Sequence, residues 1–295
     1  MKKKAITLSL AAAMFLLALG MTLYPLIANR YNEKHHSEIH TAYSEQVEQA
    51  EDAVITTTRE LAIAYNKAIQ PGVQAAEAFS NEALQLAAQD YASQLNLTGR
   101  GIMGYVRIPK LDVDLPIYHG TADATLEVGI GHLLGSSLPV GGDSTHTVLT
   151  GHSGLASQKM FSDLVDLEIG DIFYLEVLNE TLAYQVDQIK TVLPHDTAYL
   201  GIETGEDYCT LITCTPFGIN THRLLVRGTR IPYEEEEIII VETEQAEQTA
   251  SNWEQQYKNG ILFGVFLVFL LIIIVFLVHI VRRRRKKGHG GKFER

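Results

Sequence analysis

The sequence predicts a mainly β domain, a closed barrel or a sandwich, preceded by helices and bracketed by two membrane-spanning segments. Three observations carry that prediction. Residues 101–233 fall into short runs rich in Val, Ile, Leu, Thr and Tyr, separated by Gly, Pro, Asp and Asn. Residues 31–97 are dominated instead by Ala, Glu and Gln, with apolar residues three and four apart, as helices require. Residues 5–28 and 261–281 are almost wholly apolar, and each is long enough for the ~20 residues a bilayer core demands.

Taken in order, residues 1–4 carry three lysines and form a short cytoplasmic N-terminus. The apolar run 5–28 exceeds a signal-peptide core and lacks a clear small-residue cleavage site before Asn29, so it reads as an uncleaved anchor. The run 261–281 is followed at once by a basic tail, 282–295, and positive charge on both outer flanks places both termini in the cytoplasm and residues 30–258 outside it. Residues 29–97 read as a helical spacer of two or three helices broken near Gln70, Pro71 and Gly72, with Ser80 as an N-cap. The domain proper is 98–233. Two short strands lie around Pro109 and Pro116, and five more at 145–151, 171–178, 181–193, 208–214 and 223–231. Residues 234–260 form an acidic linker, in which the glutamates 234–237 read as a solvated face. The formal net charge is −11, and no basic stripe exists outside the tail, which excludes a nucleic-acid partner.

The chemistry gathers in 208–230. The chain has only two cysteines, Cys209 and Cys214, and on one strand residues five apart point to opposite faces, so the two cannot bridge. Cys209 lies mid-strand among apolar neighbours and reads as structural. Cys214 ends its strand, directly before a Pro/Gly/Asn turn, and Arg223 opens the next. In an antiparallel hairpin these two residues oppose each other, and a cation beside a thiol favours the nucleophilic thiolate. Arg227 shares the parity of Arg223, but Arg223 is nearer the loop end. Among eleven histidines, His152 is the best general acid/base, because it ends an alternating strand between Gly151 and Gly154. His119 and His132 have similar glycine-flanked settings, whereas His35, His36 and His40 in the spacer read as solvent-facing.

These residues resemble the sortase family. The resemblance lies in T-L-I-T-C-T-P at 210–216 with Arg223 after it, and in T-G-H-S-G at 150–154. The pilus-building class C members are matched by I-P-K-L-D-V-D-L-P-I-Y-H-G-T at 108–121, S-L-P-V-G-G at 137–142 and N-T-H-R-L-L-V-R-G-T-R at 220–230. The resemblance implies an eight-stranded β-barrel and a cysteine transpeptidase acting on Leu-Pro-x-Thr-Gly-like sorting signals. Carried over by position, Cys214 is the nucleophile, His152 the acid/base and Arg223 the residue that holds substrate and oxyanion. The implied partners are pilin or surface-protein substrates and an acceptor lysine, with no metal or organic cofactor required.

One departure stands out. Pilus sortases commonly carry an Asp-Pro-aromatic lid before the barrel, and this sequence has no such triplet. The stretch 76–84 lies where it is expected, so Glu77 and Phe79 are the candidate lid residues, with Ala78 in place of the proline. The alternatives to a pilin polymerase are a housekeeping-type enzyme joining surface proteins to a cell-wall amine, and a non-catalytic membrane-tethered binding barrel. Three loop-proximal polar residues argue against the latter.

Overall fold

Eight strands close into a barrel in the order β1-β2-β3-β4-β7-β8-β6-β5, with β5 returning to pair β1. The computed structural model describes residues 2–68, 90–153, 155, 158–233 and 264. Its strands are β1 (Ile102–Ile108), β2 (Val113–His119), β3 (Ile130–His132), β4 (Thr145–Thr150), β5 (Ile172–Val177), β6 (Glu180–Val192), β7 (Asp207–Thr215) and β8 (His222–Ile231). Helices α1 (Lys2–Gln49) and α2 (Asp52–Ala68) precede them, and a single-turn helix, α3 (Asp123–Leu126), lies between β2 and β3. The chain divides into two units, Met1–Thr243 and Glu244–Arg295, and of the second only Gly264 is described.

Two pairings, β2 with β3 and β4 with β7, are parallel, and the rest are antiparallel. The parallel β4–β7 pair determines the functional rim: it puts the C-terminal ends of both strands, and the N-terminal end of antiparallel β8, at one end of the barrel. Strand alternation then sorts side chains between two faces. Cys209 and Leu211 of β7, with Val226 and Leu224 of β8, point into the main core beside Phe173 and Tyr184. Their neighbours of opposite parity, Ile212 and Leu225, pack on the outer face with Val148, Val192 and Leu200. Each such buried aliphatic or aromatic side chain contributes about 1.5–3 kcal/mol of transfer free energy.

The helices pack on the barrel rather than merely spacing it from other elements. Tyr43 and Val47 of α1 and Ile55, Ala62 and Tyr65 of α2 join the core. The Leu178 amide donates to Tyr43 Oη (2.9 Å). Asn66, 5 % exposed, donates to the Leu138 carbonyl (3.1 Å) and accepts from the Leu138 amide (2.7 Å), so one side chain satisfies both polar groups of a buried loop residue.

Against expectation, α1 is one helix of 48 residues. A break falls at residues 50–51, where Glu51 O accepts the Val54 and Ile55 amides, and the break expected near residues 70–72 lies outside the described residues. His36 and His40 are not solvent-facing: His36 is 8 % exposed, and His40 lies stacked on Tyr105 with centroids 4.0 Å apart. Both belong to the face of α1 that meets the barrel. β3 was not foreseen, because three residues carry no period. Among the described residues no helix is long and apolar enough to cross a membrane. The side chains of residues 1–12 and nearly all of the expected span 261–281 lie outside the described residues, as do the Ser80 cap, the lid candidates Glu77 and Phe79, and the linker 234–260.

Candidate active site

Cys214 is the penultimate residue of β7 and Arg223 the second of β8, and the two are direct cross-strand partners. They follow Ile212 and Leu225 in parity, so both lie on the outer face of the barrel at its rim. The connecting turn begins with the cis Thr215–Pro216 bond, and the Pro216 carbonyl accepts the Ile219 and Asn220 amides. Gly218 and Asn220 take positive φ (74° and 60°), a conformation that glycine and asparagine tolerate best.

His152 reaches the same rim from the other side of β7. The β4–β7 register pairs Thr150 with Ile212, and two further bonds extend the zipper past the strand end. The Gly151 amide donates to Ile212 O (3.0 Å), and Thr213 Oγ1, 2 % exposed, donates to Gly151 O (2.9 Å). Continued by two residues, that register sets His152 level with Cys214, with β7 flanked by the imidazole-bearing segment and by Arg223. The glycine before His152 is needed for close approach: a Cβ at Gly151 would meet Ile130 Cδ1 and Phe161 Cδ2 at 2.7 Å. The His152 carbonyl accepts the Phe161 amide (3.1 Å), closing the base of the loop that follows. Gly154 lies outside the described residues.

The other candidates separate from this row. Cys209 is fully buried, and burial, with Asp207 adding to it, pushes its thiol well above the ordinary range, so it is inert. Cys214 is a half-buried free thiol. Arg227 is held by Asp187 through Nη2 (2.6 Å) and Nε (3.1 Å), faces Glu203 at 3.5 Å, and lies over the Tyr208 ring (4.0 Å). Arg223 has no carboxylate partner among the described residues; its Nη1 donates to the Asn220 and His222 carbonyls (3.2 and 3.1 Å). Those bonds hold the fork in place while Nε and Nη2 have no partner among the described residues. His132 is fully buried against Tyr91 and the Ser137 carbonyl, and burial pushes it down to about 4, so it stays neutral. The ring of His119 is engaged by the Gly101 and Gln94 carbonyls at 3.0 and 2.7 Å.

Exposed apolar side chains flank the row. Phe217 and Ile219 in the β7–β8 turn are 68 % and 67 % exposed, and Leu193 and Tyr199 after β6 are 50 % and 41 % exposed. The sequence reading missed the role of Thr213, whose pairing with Gly151 depends on the parallel β4–β7 register and leaves no local signal.

Fold and site together define a closed mixed β-barrel with a thiol, an imidazole and a guanidinium along one rim. The Sortase domain family profile matches residues 106–231. The chain is 46 % identical to the crystal structure of Streptococcus pneumoniae Sortase C, covering 66 % of this chain and 97 % of that one, with a TM-score of 0.59. Sortase C1 of Streptococcus agalactiae gives 45 % identity over 67 % of this chain and 100 % of that one, with the same TM-score of 0.59. Sortase D of Bacillus subtilis is 30 % identical over 131 residues, 43 % of this chain and 63 % of that protein, so the chain spans less than two thirds of that curated relative. The chain belongs to the sortase family, whose members are cysteine transpeptidases, and its structural neighbours are class C sortases.

Proposed function

We propose that this chain is a membrane-anchored cysteine transpeptidase that cleaves Leu-Pro-x-Thr-Gly-like sorting signals and joins pilin subunits through isopeptide bonds to a lysine. The observation that carries the reading is the cross-strand pair Cys214–Arg223. His152 removes the Cys214 proton, and the thiolate adds to the Thr carbonyl carbon of the signal. Arg223 donates to the oxyanion of the tetrahedral intermediate, where a fixed, charged donor is worth most. The Thr–Gly C–N bond then breaks, His152 gives its proton to the departing glycine amine, and a thioester to Cys214 remains. A lysine ε-amine attacks that thioester, loses a proton to His152 and expels the Cys214 thiolate, leaving the isopeptide bond.

The exposed apolar collar of Phe217, Ile219, Leu193 and Tyr199 suits the Leu-Pro end of such a signal. Similarity to Streptococcus pneumoniae Sortase C, a structure described for its pilin substrate specificity, supports the pilus class. The apolar runs 5–28 and 261–281, each flanked by basic residues, support anchoring by two spans with both termini cytoplasmic and the barrel outside.

The acceptor is tested by offering the full chain a sorting-signal protein together with a lysine-bearing pilin and a cell-wall peptide amine. Mass-spectrometric linkage to the pilin lysine supports the pilus reading. Linkage only to the wall peptide replaces it with the housekeeping one.

A further inference from the structure

The segment that follows His152 is held from outside the barrel by α1. Residues 158–159 of this segment are each bound to the helix. The Lys159 amide donates to Asn29 Oδ1 (2.9 Å), and His36 Nε2 lies 2.9 Å from Gln158 Oε1. Gln158 is itself oriented, because its Nε2 donates to the Glu127 carbonyl (2.9 Å) just after α3. Its Oε1 is therefore the acceptor, so His36 carries its proton on Nε2, and its buried Nδ1 has no partner among the described residues. Lys159 Nζ donates to the Leu111 carbonyl (2.6 Å) and pairs with Asp163 (3.0 Å), fixing the same residue to the barrel.

The next two residues carry that restraint to the site. Met160, 2 % exposed, takes a positive φ of 45°, which a non-glycine residue holds only where its surroundings impose it. Phe161, fully buried, donates its amide to the His152 carbonyl and packs its ring where a Gly151 Cβ would stand. The path from α1 to the imidazole-bearing residue is thus Asn29 and His36, then residues 158–161, then His152, with a hydrogen bond or covalent link at each step. Asn29 is the first residue after the apolar run 5–28, so the helix turn that leaves the expected anchor also grips this loop.

We propose that Asn29 and His36 are positioning residues for His152, so that the N-terminal helix sets the geometry of the acid/base. Neither touches the reacting atoms. The inference rests on His152 serving as the acid/base of the proposed transpeptidation. Its chemical consequence is a loss of turnover rather than of peptide affinity when the grip is released, because the peptide collar lies on the turns after β6 and β7 and not on this loop.

The test uses the full chain in detergent micelles, as wild type, Asn29→Leu and Asn29→Asp, the last combined with Glu33→Gln because Asn29 Nδ2 donates to Glu33 Oε1 and an aspartate would otherwise face a second carboxylate there. Leucine keeps helix propensity but removes the acceptor for the Lys159 amide, whereas aspartate keeps an acceptor oxygen at the same place. In Asn29→Leu, exchange of the Phe161 amide should accelerate by about tenfold, and kcat for cleavage of a sorting-signal peptide should fall by about tenfold with KM within twofold of wild type. Asn29→Asp with Glu33→Gln should restore both. A purely structural role would lower the unfolding midpoint and leave kcat of the folded fraction unchanged, and that result overturns the proposal. So does unchanged Phe161 exchange in Asn29→Leu, or equal impairment in the leucine and aspartate variants. If the wild type cleaves no sorting-signal peptide, the proposed function fails, and the exchange comparison alone decides whether α1 orders the His152 loop.

Discussion

Replacing His40 by glutamine isolates the charge that fastens α1 to the barrel. His40 Nδ1 lies 2.8 Å from Asp114 of β2 and its Nε2 lies 3.1 Å from Glu176 of β5, while Tyr105 of β1 stacks beneath the ring. Arg107 Nε also meets Glu176, at 3.0 Å. Burial alone would disfavour the imidazolium, but hydrogen bonds to Asp114 and Glu176 outweigh it and raise His40 to about 9, and the same contact lowers Glu176. The folded-state value lies above that of the unfolded chain, so the stabilisation is fully present below about pH 6.5, declines as pH rises, and is gone above about pH 9. The full shift is equivalent to about 3 kcal/mol, and with side-chain exposures of 20 % at His40 and 26 % at Glu176, solvent screening reduces it to about 1–2 kcal/mol. Denaturant unfolding of wild type and His40→Gln across pH 6 to 10 reads the difference directly, because tyrosine and lysine titrations common to both proteins cancel. The wild type should lead by about 1–2 kcal/mol at pH 6, and the lead should close by pH 10. A lead that stays constant or grows with pH would refute the argument.

Other consequences follow from the rim. Arg223→Lys keeps a cation but loses the planar fork, and kcat for signal cleavage should fall by about 100-fold in steady-state assays. Arg227→Gln, in contrast, should leave kcat within about twofold of wild type while lowering the unfolding free energy by about 1–2 kcal/mol, since it removes the bonds to Asp187 and the contact with Tyr208. Thr213→Val keeps shape but removes the buried donor to Gly151 O, and calorimetry should show a loss of about 1–2 kcal/mol. Gly151→Ala drives a methyl into Ile130 and Phe161, and should cost about 1–3 kcal/mol in the same measurement.

The residues of the rim were legible because they sit where local rules act. Cys214 and Arg223 flank a turn marked by Pro216, Gly218 and Asn220, and antiparallel pairing across such a turn makes them partners without any tertiary knowledge. Position along the strand separated Cys209, mid-strand among apolar neighbours, from Cys214 at the strand end, and parity excluded a bridge between them. Choosing Arg223 over Arg227 rested on nearness to the turn, and the structure supplies the physical reason in the carboxylates Asp187 and Glu203, which lie on distant segments. His152 was readable as the end of an alternating strand, but its level with Cys214 depends on a parallel pairing that no local pattern encodes. The same limit explains β3, too short to show a period, and His36 and His40, whose partners lie 122, 74 and 136 residues away. Eight strands rather than the seven readable from composition followed from the family resemblance.

The central claim, that Cys214 forms a thioester with a sorting signal, is tested most directly by intact-protein mass spectrometry. Wild type, Cys214→Ala and Cys209→Ala are each mixed with a Leu-Pro-x-Thr-Gly peptide and quenched in acid. The account predicts an adduct equal to the peptide up to its threonine on wild type and Cys209→Ala, released by hydroxylamine and absent from Cys214→Ala. An adduct that survives in Cys214→Ala, or that disappears in Cys209→Ala from a folded protein, would contradict it.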